Sequence, residues 1–104
     1  MLRRGRFRDL VETQLDLFAT DNAELLREAE EADAAWTEAD RDETEELYGD
    51  YQLVVDAIGE RLYDIREAYA GTLDEDAAEE YRAAFDAAAR KRFRRFTAFL
   101  EDEG

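Results

Sequence analysis

The sequence predicts an all-α protein, an antiparallel four-helix bundle with a long hairpin between its third and fourth helices. Three observations predict it. Apolar residues recur at the helical three-and-four spacing almost throughout the 104 residues. Pro is absent, so long helices meet no built-in break. No stretch alternates with the period of two that a half-buried strand requires.

The first helix is expected from about Arg6 to Ala19, with Phe7, Leu10, Val11, Leu17 and Phe18 on one face and Gln14 among them, making a buried hydrogen bond. Asp21-Asn22-Ala23-Glu24 reads as a capping box that opens a second helix to about Ala39, with Leu25, Leu26, Ala29, Ala32 and Trp36 as its stripe. Asp40 to Glu46 contains no apolar residue, and Asp40-Arg41-Asp42-Glu43 is a fresh start signal. A connection is expected there.

The third helix, about 43–70, carries Leu47, Tyr51, Val54, Ile58, Leu62, Ile65 and Tyr69. Gly71 after it suits a left-handed C-cap, and Thr72-Leu73-Asp74-Glu75 reads as the next capping box. The fourth helix is expected to reach Leu100, with Tyr81, Phe85, Ala89, Phe93, Phe96 and Leu100 on one side. Residues 1–5 then form a flexible arm and 101–104 an acidic tail around a single domain, 1–104.

Composition removes most catalytic chemistry. The chain has no His, Cys or Ser and a single Lys, Lys91. Imidazole general bases, thiolate metal sites, serine triads and lysine phosphate loops are excluded. The reading therefore leans against an enzyme, and only carboxylate–metal chemistry stays open. The basic start, Met1 to Arg8, has no apolar segment behind it and reads as no signal peptide. A cytoplasmic protein is expected.

The net charge of −15 is unevenly spread. Residues 9–89 hold five Arg against 26 acids, a net of −21, between two basic ends. In an up-down-up-down bundle those ends, Arg3, Arg4, Arg6 and Arg8 with Arg90, Lys91, Arg94 and Arg95, would meet in one basic pole, partly neutralised by Asp40, Asp42 or Glu43. Arg92 falls within the aromatic arc of the fourth helix and is expected to hold the most buried carboxylate partner.

Arg90, Lys91, Arg94 and Arg95 point to solvent in this reading and are candidate contacts for an acidic partner. Leu53 and Tyr63, off the main stripe of the third helix, are candidates for a second contact surface. These residues point to a non-enzymatic interaction module that self-associates as a homodimer or docks on a protein, with no membrane and no cofactor. Nucleic acid is disfavoured as a partner because the acidic body repels its backbone. An acidic decoy for a nucleic-acid-binding protein is an alternative.

A second alternative starts from acids. Glu28 and Glu31 share a helix face, as do Glu46 and Asp50, and two such pairs could hold Mg²⁺. Glu45-Glu46-Leu47-Tyr48-Gly49-Asp50, after Glu28-Ala29-Glu30-Glu31, resembles the all-α MazG-type nucleotide pyrophosphatases. The resemblance implies Mg²⁺-dependent hydrolysis of nucleoside triphosphates by an oligomeric bundle. That family pairs Glu-Glu-x-x-Glu with Glu-x-x-Asp; here the third Glu is missing, and Glu46 and Asp50 stand one residue further apart. The ordinary expectation is that these four acids face water.

Overall fold

In the computed structural model, residues 5–94 are described, and these fold into four helices without a strand. They are α1 (Arg8–Asp21), α2 (Ala23–Thr37), α3 (Arg41–Ala70) and α4 (Glu75–Arg92). No helix among the described residues is long and apolar enough to cross a membrane.

The junction of α1 and α2 is a single residue. Asn22 leaves helical geometry at φ −119° and ψ 32°, yet its N–H still donates to Phe18 O and its own carbonyl accepts from Leu26 N–H. Its side chain makes no cap, so Asp21–Glu24 is a kink rather than a capping box. The Asn22 amide Nδ2 donates to Phe18 O at 3.0 Å, and Arg61 from α3 donates to its Oδ1. Those bonds pin the bend.

A kink does not turn the chain around, and this settles how α1 lies. Phe7 meets Tyr81 edge-on at 5.6 Å and Phe18 meets Phe93 at 5.5 Å. The start of α1 is thus beside the start of α4, and the two ends are likewise together. Helices α1 and α4 run side by side in the same direction, contrary to the up-down-up-down expectation.

Asp40 is the N-cap of α3, as the sequence suggests, with extended backbone and Asp42 and Glu43 favourably placed in the first turn. Gly71 closes the helix at φ −65°, in the right-handed region, so it supplies no left-handed cap. The N-cap of α4 is Asp74, whose carboxylate accepts from Ala77 N–H at 2.9 Å; the Thr72 hydroxyl instead turns back to Tyr69 O. α4 ends at Arg92, since Phe93 departs to φ −119°; the expected continuation through Phe96 to Leu100 lies outside the described residues.

Burial is concentrated in one half of the molecule. The core joins Val11, Leu15 and Phe18 of α1 to Ile58 and Leu62 of α3 and Tyr81, Phe85 and Ala89 of α4. Every buried residue of α3 falls from Ile58 onward. α2 packs along α3, and the Arg61–Asn22 bond marks where the kink sits beside it. Residues 23–57 therefore form a two-helix projection beyond the core, in which Ala29 is the single buried residue. The body measures 54 × 26 × 24 Å.

Candidate functional site

The projection draws its character from both its apolar and its charged residues. Leu25, Leu26, Tyr51, Val54 and Val55 are only half-buried, packed against the edge of the core cluster. At the tip, Trp36 meets Tyr48 edge-on at 4.9 Å and lies 6.1 Å from Tyr51, and the two tyrosines are 6.0 Å apart. A shallow open groove of about 550 Å³ beside this cluster is lined by Trp36, Ala39, Arg41, Thr44, Glu45 and Tyr48. Trp36 Nε1 is shut off from solvent and finds no acceptor among the described residues. Such an unpaired buried donor costs about 1–3 kcal/mol, which is unusual in a finished core. Residues 23–57 also carry 13 acids against Arg27 and Arg41, a net of −11.

The strongest electrostatic feature lies elsewhere, between α3 and α4. Arg66 is 6% exposed. Its Nη1 donates to both oxygens of Asp86 at 2.8 and 3.0 Å, and its Nε donates to Glu67 at 2.8 Å. Arg82 donates to both oxygens of Glu67 at 2.9 Å, and the Tyr63 ring lies 5.0 Å from the Arg66 guanidinium. Burial alone would lower the Arg66 pKa, but the hydrogen bonds and charge of Asp86 and Glu67 outweigh it and raise it. Glu67 is held below the ordinary carboxylate value, first by its hydrogen bonds to Arg82; burial opposes this, and the hydrogen bond and charge of Arg66 add to the lowering. Each of the four charges meets an opposite one, and the network ties α3 to α4.

Tyr81 completes the interior. Its hydroxyl donates to Gln14 Oε1 at 2.8 Å, which is the buried hydrogen bond expected of Gln14. Burial pushes its pKa up to about 12, with the Gln14 bond opposing.

The residues singled out in the sequence are scattered. Arg6 pairs with Glu80 at 3.0 Å, at the opposite end of α4 from Arg90, Lys91 and Arg94. Among the described residues the basic pole does not form, because α1 and α4 are parallel, and Asp40, Asp42 and Glu43 lie at the far tip. Lys91 and Arg94 are exposed and Arg90 half-buried; Arg95 lies outside the described residues, as do Arg3 and Arg4. Arg92 is not the buried cation. It meets exposed Asp16 at 2.6 Å, and the buried role belongs to Arg66.

Leu53 is 69% exposed, while Tyr63, 40% exposed, is engaged by Arg66. Glu28, Glu31, Glu46 and Asp50 are all exposed, Glu31 is paired with Arg27, and no cluster of three or more acids spaced for a metal occurs among the described residues. The sequence did hold a signal for Arg66: Ile58, Leu62, Arg66 and Ala70 follow one another at i, i+4, and all four are buried. No family model matches the chain, and neither a curated protein nor a solved structure is significantly similar to it.

Proposed function

We propose that this chain is a non-enzymatic helical interaction module, whose working surface is the projection formed by α2 and the first half of α3. The observation that carries this reading is the contrast in burial. From Ile58 onward α3 is covered by other helices, whereas residues 23–57 bury Ala29 alone while presenting Leu25, Leu26, Trp36, Tyr48 and Tyr51. Exposed apolar surface costs about 25 cal/mol per Å², and two helices cannot bury two stripes by themselves. A second copy of the chain or a protein partner would supply the missing cover.

The order of the α3–α4 contacts supports an antiparallel hairpin as the frame that holds this surface out: Arg66 with Asp86, Glu67 with Arg82, Tyr69 with Tyr81. The full-length hairpin is therefore the scaffold, and its N-terminal half is the contact element. In place of the expected four-helix cross-section, we infer three helices at one end and two at the other.

Sedimentation equilibrium of the chain, alone and mixed with amphipathic helical peptides of either charge, tests the function. The module reading expects a dimer or a peptide complex. A monomer at several hundred micromolar that binds neither peptide would overturn it.

A further inference from the structure

We infer that the projection takes a basic amphipathic helix of a partner protein, laid lengthwise against α2 and α3. This rests on the module reading and adds the chemistry of the occupant. The shape comes from the molecule's own other half, where α4 and α1 complete the packing around α3. Beside α2 no such third helix is present among the described residues, and the apolar side chains there stay half-exposed. An apolar helical stripe with anchors at i, i+3 or i+4, and i+7 fits a surface of that kind. α2 has 15 residues, so its length of about 22 Å sets an occupant of about four turns.

Charge selects between occupants. With 13 acids and two Arg in residues 23–57, apposing the same face of two copies would bring together two regions of net −11. Such repulsion acts over about 8 Å at physiological salt and strengthens as salt is lowered. A second copy is therefore disfavoured and a cationic helix favoured. The tip suits the same partner. The Trp36, Tyr48 and Tyr51 rings stand beside a groove that pairs one acid, Glu45, with one cation, Arg41, so the tip adds aromatic surface for a Lys or Arg stem while the cation preference comes from the projection as a whole.

The test uses the full chain and three Trp-free peptides of about 18 residues, a length that covers α2 with one turn to spare. One is a Leu/Ala/Lys amphipathic helix, the second has Glu for Lys, and the third is the Lys peptide scrambled to destroy the stripe. Calorimetry and the fluorescence of Trp36, the sole Trp, are the readouts. The Lys helix should bind at micromolar Kd and weaken about tenfold or more between 0.05 and 0.5 M salt, as screening demands. The scrambled peptide should bind about tenfold more weakly, the loss of a buried apolar anchor set. The Glu helix should not bind.

Tyr48→Ala, at a 40% exposed position whose helicity circular dichroism can confirm, should weaken the Lys helix severalfold; Leu17→Ser, at a 57% exposed position of α1 outside the projection, should not. Equal binding of the ordered and scrambled Lys peptides would replace the inference with a charge-only acidic decoy. Indifference to Tyr48→Ala would remove the site from the projection. Self-association without peptide binding would assign the surface to a second copy, leaving the module reading intact, while a monomer that binds nothing would end both.

Discussion

Replacing Asp86 by Ala isolates what the α3–α4 clamp contributes. The substitution removes two hydrogen bonds to Arg66, at 2.8 and 3.0 Å, and leaves a 6%-exposed guanidinium with Glu67 as its remaining carboxylate. Breaking a fully buried pair costs about 3–5 kcal/mol. Here the Asp86 side chain is 21% exposed and the bond to Glu67 survives, so the expected loss is at the lower margin, about 2–3 kcal/mol.

With a urea m-value of about 1–2 kcal/mol/M for a chain of this size, the midpoint should fall by more than about 1 M. Far-UV circular dichroism during urea titration measures it. The double variant Arg66→Met/Asp86→Leu should recover most of the loss, because an apolar pair of similar volume carries no desolvation cost. If Asp86→Ala lies within about 0.5 kcal/mol of the parent, the ordinary range for a surface site, the clamp is not holding the helices and the argument fails. The same conclusion follows if the double variant is no more stable than the single.

The remaining expectations concern pH, the core and the surface. Tyr81 has its folded pKa raised to about 12 from 10.0; its contribution is complete below pH 10 and is lost as pH rises toward 12, at about 1.4 kcal/mol per unit. Urea titrations at pH 9 to 12 should show that decline, and Tyr81→Phe should flatten it. Glu67 has a lowered folded pKa, so its contribution is complete above its ordinary value of 4.5 and is lost as pH falls below it; Glu67→Gln should remove that part of the acid limb in melts between pH 6 and 3. Leu62→Ala, at a fully buried site, should cost about 3–4 kcal/mol, and Leu26→Ala in the projection about 1 kcal/mol, when both are measured by urea denaturation. Arg92→Met should change stability by less than about 0.5 kcal/mol, because its pair with Asp16 is exposed on both sides; a larger thermal shift would restore it as a structural cation.

Helix placement was legible because the stripe of α3 is long and regular and because Asp40, followed by no apolar residue before Leu47, announces a start. The direction of α1 was not. Asp21-Asn22-Ala23-Glu24 has the composition of a capping box, and composition does not distinguish a stop followed by a reversal from a one-residue kink. The backbone bonds that cross Asn22 decide it, and the side chain of that residue is held by Arg61, 39 residues away. The basic pole fell with that reversal. Arg92 was misjudged because its helical phase was extended past Phe93, where the helix ends. The surface proposed here was hidden for a related reason: apolar periodicity marks a stripe as wanting cover, and topology alone determines whether cover arrives.

The division between a packed base and a bare projection also bears on how the molecule comes apart. Residues 58–92 share one interior, so they should open together at the global free energy, while residues 23–57, which bury Ala29 alone, should open in a smaller, separate step. Amide exchange would then fall into two classes along the single continuous helix α3, slow after Ile58 and fast before it. Because Trp36 sits within the fast class, a denaturation curve followed by its emission would report the lesser event and precede the one followed by backbone ellipticity. One helix would thereby belong to two cooperative units, with the boundary set near Arg61, where Asn22 is tethered.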